Sequence, residues 1–285
     1  MDWSLIDYQP QSIVDLHAME DALFEMLCAG AISSTLMISQ LRTLGISLGV
    51  NQSIADLRLD DALRDGIDVV RRQSGGRAML LGSKYLVLSF FTNESAVNCS
   101  GTRDIYCNIL KNYVLAPLEA SFGVLGEIEN VNDLVCAGKK FGGAAQKKMH
   151  DNVLVHCYIR LEDDNAEMVR YVTIGGIPLE PYISLIDSFA TGLSRLLNRQ
   201  VFANQVRSAI VENLGPEPRG IGQDETLLAE LKKQQYVVNA GLVARADAAA
   251  VCRGHCDIIG GSGSAMYYKI SELEQLVRQR NLHVR

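Results

Sequence analysis

The chain has 285 residues, 21% charged and 48% hydrophobic, the profile of a globular protein that buries roughly three quarters of its unfolded surface and needs no staples. A net charge of −6 argues against general affinity for nucleic acid, and no apolar run reaches the roughly 18 residues that a bilayer span requires. Seven scattered cysteines, an odd number, and an acidic, mixed N-terminus in place of a signal peptide suit a reducing cytoplasm.

Residues 12–29 carry Ile13, Leu16, Met19, Leu23, Met26 and Leu27 at helical spacing, with Ser12 and Asp15 as a capping pair and Gly30 as a stop. Two short strands follow, "TLMIS" (35–39) and "GISLG" (45–49), then a short helix around 54–64 and the strand "IDVVRR". "YLVLSFF" (85–91) is apolar on both alternating faces, the pattern of a strand covered on both sides. Residues 103–122 form a helix with Ile105, Ile109 and Leu110 inward, kinked or split by Pro117. "LGEIEN", "DLVCAGKKFGGAAQK" and "NVLVHCYIRLE" read as strands joined by tight turns. One amphipathic helix is expected over 182–197 and another over 200–213, ending at Gly215-Pro216. "GPEPRGIG" (215–222) reads as a linker, followed by helices at about 224–235 and 272–281, the last opened by Ser271 and Glu274. No repeat occurs, and strands and helices come in blocks. The expected class is α+β: a mixed, mostly antiparallel sheet flanked by helices, with one domain over 1–215 and a helical segment over 216–285.

Two stretches could carry chemistry. In "VVRRQSGGRAM", the Ser74-Gly75-Gly76 turn lets backbone N–H groups close around an anion, and Arg71 and Arg72 can neutralise a phosphate or carboxylate. In "NDLVCAGKKFGGAAQKK" (132–148), Lys139 and Lys140 precede a second Gly-Gly turn, and alternation puts the two lysines on opposite strand faces. Asp133 can orient a metal, a ligand nitrogen or the lysine. Taken singly, each stretch also reads as a plain hairpin with surface cations.

Together, "RRQSGGRA" and, about 60 residues later, "NDLVCAGKKFGGAAQ" resemble the paired motifs of the lipoate–protein ligases, relatives of biotin protein ligases and of the lipoyl and octanoyl transferases. "STLMISQLRTLGISLGVNQ" is similar to the family's opening strands and "NVLVHCYIRLE" to the strand after the lysine motif; the resemblance covers about 12–200. It implies a biotin/lipoate ligase-like fold. It implies an enzyme that condenses ATP, with Mg2+, and lipoate or octanoate into an acyl-adenylate, then passes the acyl group to a lysine of a lipoyl carrier domain. Such carriers are the glycine-cleavage carrier protein and the acyltransferase subunits of dehydrogenase complexes.

By this resemblance Lys140 contacts the activated carbonyl, where one fixed donor contributes about 2.7–4 kcal/mol to the transition state. Arg71, Arg72, Ser74, Gly75, Gly76, Arg77 and Ala78 match the loop that wraps the acyl group and phosphate. Gly143, Ala144 and Ala145 match the second turn near the nucleotide, Asp133 belongs to the same motif, and His156 lines the pocket. An apolar slot between the hairpins would take the acyl chain, and no resident metal site is implied.

The chain departs from the family pattern at several positions. Arg77 replaces a third glycine, as in the octanoyltransferase branch; Leu81-Gly82 stands for His-Asp, Lys84-Tyr85 for Gly-Asn, and His156-Cys157 for His-His-Gly. The alternatives are therefore an ATP-independent transferase and a non-catalytic lipoate-binding relative. A transferase needs a thiol, and the segment before Asp133, "LGEIENVN", has none; Cys136 or Cys157 would have to serve. "CRGHCD" (252–257) lacks the second ligand pair of a zinc site, "GGSGSA" (260–265) lacks the frame of a phosphate loop, and His17 reads as a packing or surface histidine.

Overall fold

The computed structural model describes residues 2–173, 179–234 and 236. The first strand, β1 (Ser4–Tyr8), leads into α1 (Ile13–Cys28). Ser12 and Asp15 close a capping box: Ser12 Oγ accepts from the Asp15 N–H at 3.2 Å, and Asp15 Oδ2 accepts from the Ser12 N–H at 2.9 Å. The strands β2 (Thr35–Ser39), β3 (Gly45–Leu48), β4 (Asp68–Arg71), β5 (Met79–Leu81) and β6 (Tyr85–Asn93) follow, with a 3-10 turn (Ile54–Asp56) and α2 (Leu59–Arg64) between β3 and β4.

The second half adds β7 (Glu127–Glu129), β8 (Asp133–Cys136), β9 (Lys139–Met149) and β10 (Asn152–Arg160). With the short β11 (Glu217–Pro218) these build an eight-stranded sheet in the order β11-β1-β2-β6-β10-β9-β8-β7; a separate three-stranded sheet runs β4-β3-β5. Pairing in the large sheet is antiparallel except where β1 meets β2 and β11.

Strand alternation sorts the core into two layers. Leu86, Leu88 and Phe90 of β6, with Val153, Val155 and Cys157 of β10, pack under α3 (Thr102–Leu110), α4 (Ala116–Phe122) and α8 (Ala203–Leu214). Val87 and Phe91, with Leu154 and Tyr158, pack against Ile13, Leu16 and Leu23 of α1. The sequence expectation that β6 is covered on both sides is met: all residues from Tyr85 to Thr92 are buried.

The helix expected over 103–122 is divided by a π-helical turn, Lys111–Leu115. Pro117 has no N–H for the carbonyl four residues back, and the wider turn, with the Ala116 N–H bonded to the Lys111 carbonyl, accommodates it. The single helix expected over 182–197 is instead α6 (Leu179–Phe189) and α7 (Leu193–Leu196). The break has a cause: the Thr191 N–H donates to the Lys140 carbonyl at 2.9 Å, and Gly192 lies so close to the Glu162 backbone that a Cβ would not fit. The helix α5 (Asn165–Tyr171), β1 and β5 carry patterns too short to read from sequence.

Past Gly215, in left-handed conformation at φ +57, β11 pairs with β1 and a further helix, α9 (223–234), lies on the outer face of α1. There Lys233 pairs with Asp15 at 2.6 Å, Lys232 with Glu25, and Tyr236 bonds Asp21. The helix expected at 272–281, "CRGHCD" and "GGSGSA" lie outside the described residues. No helix among the described residues is long and apolar enough to cross a membrane.

Phe90 has no exposed surface and meets the Trp3 ring edge-on at 5.6 Å. Phe90→Ala is expected to lower unfolding free energy by about 3–5 kcal/mol in urea titration, as for other buried aromatic truncations.

Candidate functional site

The lysine motif is a hairpin whose turn is Ala137-Gly138, both at positive φ, +50 and +69. Gly142 and Gly143 do not form the turn expected from the sequence; they lie inside β9, opposite Leu134 and Asp133 of β8. Their lack of side chains serves close packing. A Cβ on Gly142 would meet the Tyr158 carbonyl at 2.7 Å, and one on Gly143 would press on Lys140 Cε and Nζ at 3.3 and 3.4 Å.

A β-bulge sets the direction of Lys140. Gly142 pairs with Leu134, but the next β8 residue, Val135, pairs with Lys140, leaving Phe141 as one extra residue on β9. Phe141 and Ala144 both face the α3/α8 core, which strict alternation forbids for residues three apart. The bulge reverses the alternation and turns Lys140 onto the face that Gly143 and Asp133 share. There Lys140 Nζ lies 2.5 Å from Asp133 Oδ1, while Asn130 Nδ2 donates to Asp133 Oδ2 at 3.3 Å. Asn132 fixes the strand from beside it, its Nδ2 donating to the Ala144 carbonyl at 2.5 Å. Lys139 points the other way, donating at 2.7 Å to the Ser188 carbonyl at the end of α6, so the two lysines take opposite faces as the sequence suggests.

The first motif joins β4 to β5. Arg71 Nη1 donates to the carbonyls of Gly49 (3.0 Å) and Gln52 (2.6 Å). Arg72 is 3% exposed and shapes the loop from within. Its guanidinium donates to the carbonyls of Ser47 (2.8 Å), Gly75 (2.5 Å) and Arg77 (3.0 Å), and to Ser74 Oγ (3.1 Å). Gly76 adopts φ +90 against the Arg72 guanidinium, and the Gly76 carbonyl lies where a Cβ of Gly49 would stand, so the loop is seated on β3. Gly75 faces open space, and Ala78 is buried.

Ser74 Oγ lies 2.6 Å from His156 Nε2, which brings the first motif onto β10. His156 pairs with Ala145 across β9, and Tyr158, two residues on, pairs with Gly143. The Ser74–His156 contact and the Lys140–Asp133 pair therefore share one face of the sheet, two residue steps apart. Ala144 points to the opposite core.

Beneath His156 lies a carboxylate that the sequence reading did not single out. Glu20 Oε2 lies 3.2 Å from His156 Nδ1 and 2.8 Å from His17 Nδ1, and Glu20 Oε1 accepts from Ser89 Oγ at 2.6 Å. His17 is thus no packing or surface histidine but part of a buried polar cluster; the available signal was a charged residue inside the apolar stripe of α1. Burial, with the Arg72 charge nearby, holds His156 below its usual pKa despite the pull of Glu20. Burial pushes Glu20 upward, but His156 and His17 more than offset this, and the group stays ionised below the usual carboxylate range. His17, Glu20 and His156 offer ligand atoms within 4.8 Å of one another, as a two-histidine, one-carboxylate metal set does. Each ring's remaining nitrogen is already bonded to a serine.

Two concavities border the motifs. A cleft of about 240 Å3 is lined by Lys139, Asp187, Ala190, Thr191, Arg195 and Leu196. A pocket of about 30 Å3 lies beside Arg77 and Ala78, against Met168 and Tyr182. Neither is the long apolar slot implied for an acyl chain. Of the two thiols considered as transferase nucleophiles, Cys157 is fully buried with its pKa pushed up by burial, and Cys136 is raised by burial and Glu127.

Residues 13–215 match the family described as the lipoyl protein ligase A/B catalytic domain. The chain belongs to that family. It is 28% identical over 130 residues to the probable lipoate–protein ligase A of Mycoplasma pneumoniae, covering 45% of this chain and 37% of that one. To lipoate–protein ligase 1 of Plasmodium falciparum it is 27% identical over 169 residues, 59% of this chain and 39% of that one. The chain thus spans less than half the length of these two curated relatives. Among solved structures, the bipartite lipoate protein ligase of Thermoplasma acidophilum superposes with a TM-score of 0.69 at 18% identity, over 82% of this chain and 92% of that one. A lipoate–protein ligase A bound with ATP gives 0.63 at 18%, over 82% and 95%. These likenesses show the fold of the lipoate protein ligases.

Because native His156 stays neutral where an unfolded histidine, near 6.5, takes a proton, the unfolded chain binds more protons below that pH and stability falls. Glu20 adds a second loss below its ordinary value near 4.5, where the unfolded carboxylate protonates first. Urea titrations are expected to show unfolding free energy flat between pH 8 and 7, then falling by up to roughly 1.4 kcal/mol per pH unit between about 6.5 and 5. Constant stability over that range would place a charged imidazole in the native site.

Proposed function

We propose that this protein is a lipoate–protein ligase: it joins lipoate or octanoate to the ε-amine of a lysine on a lipoyl carrier domain, through an acyl-adenylate. The observation that carries the reading is the bulge-directed ammonium of Lys140, on the same sheet face as the Arg72–Ser74–His156 assembly. In the first half-reaction the acid's carboxylate oxygen attacks the α-phosphorus of ATP and pyrophosphate leaves. In the second the carrier amine attacks the mixed-anhydride carbonyl and AMP leaves with the bonding electrons. Lys140 contributes a fixed positive donor to the oxygens that gain charge in both steps. The Arg72-held loop, with Gly75 facing open space, offers backbone donors to the acyl and phosphoryl groups.

A magnesium ion fits beside Asp133. Mg2+ held through substrate phosphates takes one or two protein carboxylates, and Asp133 Oδ2 has only the 3.3 Å Asn130 contact among its hydrogen bonds to described residues. Asp133 would hold the ion, which would neutralise phosphate charge.

The ligase is favoured over an ATP-independent lipoyl or octanoyl transferase because Cys136 and Cys157 both have raised pKa values, the opposite of a poised thiolate. The carrier class has its precedent in the Thermoplasma acidophilum ligase, whose structural description pairs it with an E2 lipoyl domain. Residues 1–215 would be the catalytic unit and 216–285 an accessory segment, of which α9 clasps α1. Residence in the cytoplasm completes the reading.

The test is incubation with an apo carrier domain and lipoate or octanoate, with and without ATP, read by intact mass. Acylation that requires ATP is expected, with Lys140→Ala lowering its rate by about 100- to 1000-fold. Product without ATP from an acylated carrier would establish the transferase. Tight lipoate binding without product from either donor would establish a non-catalytic relative.

A further inference from the structure

The buried cluster under the first motif closes into a ring. Arg72 donates from Nη1 to Ser47 Oγ (3.2 Å) and from Nε to Ser74 Oγ (3.1 Å). Ser47 Oγ lies 2.8 Å from His17 Nε2, and Ser74 Oγ lies 2.6 Å from His156 Nε2. Both histidines present Nδ1 to the same oxygen, Glu20 Oε2. Six side chains on α1, β3, the Ser-Gly-Gly loop and β10 thus form one circuit: Arg72, Ser47, His17, Glu20, His156, Ser74.

One proton arrangement completes the circuit. Guanidinium nitrogens only donate, so each serine oxygen accepts from Arg72 and can give its single proton to the histidine Nε2. In that arrangement each Nε2 accepts, each Nδ1 carries hydrogen, and the ionised Glu20 accepts from both rings and from Ser89. The circuit contains one cation and one anion, every member is buried, and the two charges are linked through two parallel serine–histidine arms.

We propose that Glu20, with His17 and Ser47, is a positioning residue that fixes the Arg72-held Ser-Gly-Gly loop in its acyl-binding shape. None of the three needs to touch substrate. Lys140 is anchored separately, by Asp133 and the Phe141 bulge, so opening the circuit disturbs the loop and leaves the ammonium in place. This rests on the ligase reading for its kinetic consequence, but not for its proton arrangement.

Two measurements test it. With 15N-labelled histidine, two neutral rings protonated at Nδ1 are expected at pH 7.5; an imidazolium or an Nε2-protonated ring at either position would overturn the circuit, as would one equivalent of metal retained by the purified protein. Kinetics of Glu20→Gln and Ser47→Ala, expressed per folded molecule from thermal melts, are expected to show KM for lipoate raised about 10- to 100-fold, the scale of one hydrogen bond to a charged group, with kcat changed far less. Unchanged KM in a folded variant, or a fall confined to kcat, would overturn the positioning role. Should Glu20→Gln not fold, Ser47→Ala, which spares the Arg72 bond to the Ser47 carbonyl, carries the test. If the wild type lacks ligase activity, the ligase reading fails while the 15N signature still decides the circuit.

Discussion

One extra residue in β9 governs where the site's cation points. Phe141 is pulled into the core with Leu134 and Ala144, and the strand accommodates it as a bulge opposite Leu134 and Val135. Burying a phenylalanine fully contributes on the order of 1.5–3 kcal/mol, enough to hold a local departure from regular pairing. The consequence is chemical: without it, alternation would aim Lys140 into the helical core, where an ammonium has no partner. With it, Lys140 meets Asp133 across the strand pair, and Gly143 leaves the room its side chain needs.

The second constraint is the charge beneath the loop. Arg72 is almost entirely out of water, and a buried guanidinium persists only where its donors are met and a counter-charge is near. Carbonyls from Ser47, Gly75 and Arg77 meet the donors, and Glu20 supplies the counter-charge at a distance through two serines and two histidines. The loop glycines fit this scheme, since Gly76 in left-handed conformation passes close to the guanidinium and Gly49 allows the loop carbonyl to seat on β3. The break between α6 and α7 has a related origin, because the backbone there turns aside to bond the Lys140 carbonyl.

Much of this was legible in the chain. The cap at Ser12, the two-sided strand at 85–91, the disruption at Pro117 and the stop at Gly215 follow from local rules and appear where those rules put them. The paired motifs named the family that the comparison over 13–215 establishes. What was not legible depends on contacts distant in sequence. Gly142-Gly143 reads as a turn until the cross-strand carbonyl of Tyr158 is known to press on it. His17 and Glu20 read as ordinary helix residues until β10 brings His156 over them, 136 positions beyond Glu20. The continuous periodicity of 182–197 gives no sign of the Glu162 backbone that stops it.

The most direct measurement is a crystal structure of the protein with a non-hydrolysable analogue of lipoyl-adenylate. The account predicts the analogue's carbonyl or phosphoryl oxygen within hydrogen-bond reach of Lys140 Nζ, and its linkage held by backbone N–H groups of the Ser74–Gly76 loop. An analogue seated elsewhere, or a Lys140 ammonium that makes no contact with it, would contradict the account.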